Sequence, residues 1–186
     1  MMTTTHLPWS STPIPTEIRL GPLRRADLAR LVMPGGRLPE VHRERFALQQ
    51  AGAALYLLAW HGARPIGHVL LKWRGVAREP MASALQRCPH ICDLYVIPEY
   101  QSRGIGTRLM DAVERLARMC VYPQVGLSVA VDNFRARRMY EQRGYHNAGF
   151  PPQQVRWTSL DAAGAPQVQE ETVVYLVKRL GLGAVC

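Results

Sequence analysis

Apolar residues in this chain fall into short runs set off by glycine, proline and charged positions. Their spacing fixes what each run can form. Residues 53–60 (AALYLLAW) are continuously apolar and precede the turn-forming segment HGARP, so they predict a buried strand. Residues 66–73 return as its hairpin partner. Residues 91–97 (ICDLYVI), closed by Pro98, and 125–131 (VGLSVAV) predict two more strands. Residues 18–20, 155–160 and 172–178 predict three others, the last two separated by a loop through Ala163-Gly164-Ala165-Pro166. A helical period appears over 104–120, where Leu109, Val113, Leu116 and Cys120 form one stripe joined by Met110 and Ala117. On its outer face Asp111–Arg115 and Glu114–Arg118 are spaced as favourable i,i+4 pairs. Helices are also expected over 23–32, begun at Pro22 and stopped by Pro34-Gly35-Gly36, and over 39–50. Another runs from a cap at Asp132 or Asn133 to about 142, with Gly144 ending it. Residues 75–89 are mixed and read as a loop with room for a helical turn. The order β-α-α-β-β-β-α-β-α-β-β predicts an α/β (α+β) fold, a mixed sheet with helices on both faces.

At 186 residues the chain has the size of one domain. Residues 1–16, rich in Thr, Ser and Pro, read as a flexible tail, leaving 17–186 as the domain. That tail lacks the basic start and apolar core of a signal peptide, and no run of eighteen apolar residues predicts a membrane span. The four cysteines are Cys88, Cys92, Cys120 and Cys186. Cys88 and Cys92 would stand about 13 Å apart on one strand, too far for a disulfide. Cys88, His90 and Cys92 share a strand face, but three ligands on one strand with no visible fourth make a poor zinc site. No metal is expected, and reduced thiols in a cytoplasmic protein are the simpler reading. The net charge of +9 suits a polyanionic ligand. The basic residues are spread along the chain with no block and no nucleic-acid motif, so nucleic acid is not the expected partner.

The segment with the most chemistry is Gln101-Ser102-Arg103-Gly104-Ile105-Gly106, between the strand at 91–97 and the helix at 104–120. A strand opening through two glycines onto a helix N-terminus leaves backbone N–H groups free at the positive end of the helix dipole, which suits phosphate. The Walker pattern is absent, and Leu109 stands where a dinucleotide fingerprint needs glycine. What the hexapeptide resembles is the Q/R-x-x-G-x-G/A signature of the GNAT acyl-CoA N-acyltransferases. Val131-Asp132-Asn133-Phe134-Arg135-Ala136 with Met139-Tyr140 is similar to that family's N-x-x-A-x-x-x-Y segment, and Gly144-Tyr145 to its G-F/Y turn. The resemblance runs from about residue 17 to 180.

The resemblance implies a GNAT fold: a mixed, mostly antiparallel sheet of six or seven strands flanked by about four helices. It implies acetyl-CoA as cosubstrate. The amides of Arg103, Gly104, Ile105, Gly106 and Thr107, with Gln101 nearby, would hold the pyrophosphate, and the Arg103 or Arg108 side chain would add charge. The backbone of Leu94, Tyr95 and Val96 would bond the pantetheine arm, an N–H near Val96 polarising the thioester carbonyl. Asn133 would bond the arm while capping its helix. Tyr140 would serve as acid for the departing thiolate.

A base for the incoming amine has three candidates: His90 and Asp93 on the strand, and Glu99 in the turn. Strict alternation puts 90 and 93 on opposite faces. A water-relayed base, or none, is the other option. The acceptor pocket falls to the first two helices, the 75–89 loop and the final hairpin, with Trp9, Trp60, Trp73 and Trp157 as candidate walls. Asp27, Glu40, Glu44 and Glu79 are sparse acids there, which disfavours a polycation such as an aminoglycoside. A small-molecule amine or a protein N-terminus is the expected acceptor, reached by direct transfer, since neither Cys92 nor Cys120 has an evident activating base. The alternative is an acetyl-CoA-binding sensor that no longer transfers the group. The final strands are also candidates for pairing in a homodimer.

Overall fold

The computed structural model describes residues 17–31, 33, 37–77, 79–161 and 165–181. The expected N-terminal tail, Trp9 and Cys186 lie outside these, as do residues 162–164 of the loop expected between the last two strands. Eight strands form one sheet: β1 (Ile18–Pro22), β2 (Ala54–His61), β3 (Arg64–Lys72), β4 (His90–Val96), β5 (Gln124–Ala130), β6 (His146–Asn147), β7 (Gln153–Leu160) and β8 (Pro166–Arg179). Their order is β1-β2-β3-β4-β5-β8-β6, with β7 also pairing β8. Four α-helices accompany them: α1 (Pro39–Gln50), α2 (Met81–Ala84), α3 (Ile105–Met119) and α4 (Phe134–Gln142). The mixed, mostly antiparallel sheet is the expected one, extended by the two-residue β6.

Two element boundaries and one set of ion pairs differ for physical reasons. The helix expected over 23–32 is only a 3-10 turn, Arg25–Arg30. Pro22 stays in β1 opposite Leu57, and the Leu23 N–H bonds the Tyr56 carbonyl, so pairing with β2 holds the chain extended past the proline. Strand β8 is twice the length expected, because its polar half, residues 166–172, pairs with β7 in an exposed ribbon that carries no apolar signal. The outer-face pairs expected on α3 do not form. Glu114 is buried and accepts from Arg143, Tyr145 and Lys178, while Asp111 pairs with Arg143. Helix α4 and strand β8 therefore cover a helix face that its sequence marks as solvated.

All neighbours are antiparallel except β4 and β5, which run parallel and pair only at His90–Gly126 and Ile91–Leu127. Beyond that point they separate. β4 remains bonded to β3, and β5 to β8, so each turns one unpaired backbone edge into the gap. The core fills the two faces behind it: Leu109, Met110, Val113 and Ala117 of α3 pack with Leu57, Leu71 and Ile91, all buried.

β4 also carries a bulge. His68 faces Tyr95 and Leu70 faces Cys92, so Asp93 and Leu94 together oppose Val69, with Asp93 at φ 53°. Residues directly opposite one another share a face. Tyr56, Leu70, Cys92, Lys72 and His90 therefore look toward α1, whose His42 and Arg45 meet the Tyr56 hydroxyl. The bulge turns Asp93 to this same face, where Arg45 binds it. The alternation that would oppose His90 and Asp93 is thus broken by one inserted residue.

Candidate active site

The gap between β4 and β5 opens into a cleft of about 690 Å³, lined by residues 91–96, the 100–107 loop, residues 127–130 and one face of α4. At one end stands the N-terminus of α3. Gly104 caps it at φ 74°, a conformation that glycine adopts without strain. The first bond into the helix runs from the Arg108 N–H to the Gly104 carbonyl, so the amides of Ile105, Gly106 and Thr107 have no helical partner. They lie on the cleft wall. Gln101 donates to the Val96 carbonyl at 3.0 Å, tying the loop to the end of β4.

The cations here are not those expected. Arg103 lies over the Tyr100 ring, 5.4 Å from its centroid, and Arg108 donates to the Ile18 carbonyl at 2.9 Å. Neither side chain lines the cleft. Arg135 of α4 does, donating to Ser102 Oγ at 2.7 Å. It spans from α4 to the glycine loop and brings a guanidinium beside the free amides.

Mid-cleft, past its last pair with β5, β4 runs along the gap through Leu94, Tyr95 and Val96. Asn133 accepts from the Ala136 N–H at 3.0 Å, capping α4 with its oxygen and leaving its amide NH2 for a ligand. Asn133, not Asp132, is the cap. Tyr140 is buried at 8% exposure, lines the cleft, and meets Tyr145 edge-on at 5.7 Å. Burial pushes its hydroxyl up to about 12, so it keeps its proton at neutral pH.

The base candidates are otherwise engaged. His90 does not line the cleft. Its ring stacks on Tyr175 at 5.6 Å, with Nδ1 3.3 Å from the Tyr175 hydroxyl, and burial lowers its pKa to about 4. Tyr175 fits because its partner strand carries Gly126, where a Cβ would stand 2.4 Å from the hydroxyl. Asp93 reaches the cleft but is committed. Arg37 Nε donates to Oδ1 at 3.0 Å, Arg37 Nη2 donates to the same oxygen, and Arg45 Nη2 donates to Oδ2. The two guanidinium groups outweigh burial and hold its carboxyl below the usual range. Glu99 is an exposed partner of Arg64.

His68, fully buried opposite Tyr95, also faces the cleft; burial first and the Arg45 charge next lower its pKa to about 3. Sequence reasoning missed it together with Arg37, Arg45, Arg135 and Glu171. The tryptophans divide: Trp60 is core, Trp73 stacks on Tyr122, and Trp157 alone of those described lines the cleft, with the Arg37 guanidinium 3.9 Å from its ring centroid. Among the described residues no three His, Cys, Asp or Glu converge as a metal site, and no helix is long and apolar enough to cross a membrane.

A family model, the acetyltransferase (GNAT) family, matches residues 25–145. The chain belongs to the GNAT acetyltransferase family. It is an acyltransferase of the N-acetyltransferase class, with the acetyl-CoA-binding fold of that family. The PaiA N-acetyltransferase of Thermoplasma acidophilum, solved with coenzyme A, superposes with a TM-score of 0.64 at 16% identity over 88% of this chain and 99% of that one. The putative acetyltransferase YncA of Salmonella typhimurium, solved with acetyl-CoA, gives 0.63 at 14% identity over 92% and 98%. The ribosomal-protein-S18-alanine N-acetyltransferase of Escherichia coli gives 0.61 at 14% identity over 91% and 97%. At such identities the likeness is one of fold. No curated protein sequence matches the chain.

Proposed function

We propose that this GNAT protein transfers an acetyl group from acetyl-CoA directly to a primary amine. The observation that carries the reading is the β4–β5 gap itself. Its unpaired strand edges suit the two amides of a pantetheine arm laid between them as an extra strand, and they lead to the free amides of Gly104, Ile105, Gly106 and Thr107. Those amides and the Arg135 guanidinium suit a pyrophosphate. With the arm so placed, the thioester carbonyl lies near the Val96 N–H and the sulfur near Tyr140.

The net reaction consumes an ammonium and acetyl-CoA and yields an amide, free coenzyme A thiol and one proton. Two protons must leave nitrogen, and one must reach sulfur. Neither His90, packed on Tyr175, nor Asp93, bound by two arginines, is placed to take them; both leave to water through the open cleft, and the thiolate takes one back from water. Tyr140 serves the sulfur. Its pKa of about 12 exceeds the ~8–9 of an alkyl thiol, so it stabilises the departing thiolate by a hydrogen bond rather than by surrendering its proton.

The commitment of His90 and Asp93 elsewhere also favours a second reading, an acetyl-CoA sensor without transfer. Thiol release from acetyl-CoA across a panel of amines separates the two, with a blank for the protein's four cysteines. Release with one amine class supports the enzyme. Tight binding of acetyl-CoA with no release from any amine supports the sensor.

A further inference from the structure

The acceptor end of the cleft holds a charge imbalance. Arg37 and Arg45 share one carboxylate, Asp93, and their side chains are only 18% and 7% exposed. His42 and His68, packed against this group, have pKa values lowered to about 4 and 3 and are neutral. The cluster is therefore one anion short in a place where an unbalanced charge is costly. Arg37 lines the cleft. Of its five N–H donors, Nε and one on Nη2 serve Asp93, and one on Nη1 reaches the Thr158 carbonyl at 3.4 Å. One donor on each terminal nitrogen is left for a further anion.

A second unbalanced group faces it. Of the two acids among the described residues that line the cleft, Asp93 is ion-paired, and Glu171 of β8 pairs with no described residue. Glu171 stands opposite Val155, and Trp157 opposite Gln169, so Glu171 and Trp157 are diagonal neighbours on one sheet face. The Arg37 guanidinium lies on that same indole. The neighbouring Thr172 carbonyl accepts from the Val131 N–H at 2.9 Å, which fixes Glu171 at the open end of β5. An unpaired carboxylate and an under-balanced guanidinium thus both neighbour the Trp157 indole, beside the gap assigned to the thioester.

We propose that the acceptor is a zwitterion of the amino-acid type, its ammonium drawn by Glu171 and its carboxylate held by the free donors of Arg37. This rests on the acetyltransferase reading above and narrows it. A peptide N-terminus, whose α-carbonyl is an amide, leaves the arginine cluster short of its anion, and a polyamine brings more positive charge to it.

The test is kinetic, with matched triads of acceptors: L-amino acids, their carboxamides and the amines that remain when the carboxyl group is removed. For the best triad, kcat/KM is expected to be at least tenfold higher for the acid than for either relative. Glu171→Gln is expected to raise KM for the acid about tenfold with acetyl-CoA affinity unchanged. Arg37→Lys, which keeps the charge on Asp93 but not the guanidinium donors, is expected to raise KM for the acid and not for the decarboxylated amine. Carboxamides or alanine-ended peptides used as well as the acids would overturn the proposal, as would an unchanged KM in Glu171→Gln. A protein that binds acetyl-CoA but acetylates no member of the triads also overturns it. A protein that does not bind acetyl-CoA overturns the acetyltransferase reading beneath it.

Discussion

Tyr140 and Asn133 were legible because a helix preserves spacing: seven residues apart, both reach the cleft, one from the cap and one from the inner face. Tyr140→Phe should lower kcat about 10- to 100-fold, the worth of one hydrogen bond to a charged atom, and leave the acetyl-CoA dissociation constant unchanged. Steady-state kinetics with a binding titration checks both. His90 and Asp93 were not legible, because a strand's alternation survives only until its first bulge, and no residue type announces the one at Asp93. Nor does the sequence show that an aspartate on β4 will be claimed by arginines 56 and 48 residues away. Asp93→Asn should cost about 3 kcal/mol of stability by leaving two buried guanidinium groups unbalanced. The native carboxyl has its pKa lowered, so its contribution is present above the ordinary carboxylate value and is lost as pH falls through the folded one. Denaturant melts at pH 7 and pH 3 should show the gap between native protein and variant shrinking with acid.

Elements with an apolar period announced themselves; elements held by polar contacts did not. Helix α3 was visible from its stripe, yet its buried Glu114 was not, since the cations that claim it come from α4 and β8. Glu114→Ala should destabilise by about 2–4 kcal/mol by orphaning Arg143 and Lys178 while sparing the cleft, a loss read by thermal melting. Helix α1 fell where 39–50 predicts it, but it docks through His42, Arg45 and Gln49, the last bonding both the Leu23 carbonyl and the Tyr56 N–H. A composition reading sees those residues as solvated. The glycine loop was the clearest element, and Gly106 isolates its function. A Cβ there meets nothing nearer than a Val96 methyl at 4.0 Å. Gly106→Val should therefore keep the fold and weaken acetyl-CoA binding at least tenfold by filling the cradle, as calorimetric titration would show.

At the scale of the whole molecule, three histidines on the α1 face are held neutral. His42 and His90 are lowered to about 4 and His68 to about 3, chiefly by burial. The unfolded chain takes up these protons near pH 6.5, before the folded one does. Stability should therefore be full above pH 6.5 and fall steadily toward pH 4, by up to roughly 3 kcal/mol for each of His42 and His90. Melting temperature against pH measures it, and His42→Gln should flatten the slope. The domain as a whole is organised around one interruption, the point past Ile91 and Leu127 where a continuous sheet stops pairing. On the function proposed above, that interruption is what turns a packed sheet into an acetyl-CoA site. Its direct test is a crystal structure with acetyl-CoA bound. The pyrophosphate should rest on the amides of residues 104–107, the pantetheine arm should pair with the β4 edge at 94–96, and the sulfur should lie within hydrogen-bonding distance of the Tyr140 hydroxyl. Acetyl-CoA bound outside the β4–β5 gap, or with its thioester away from Tyr140, would contradict the account.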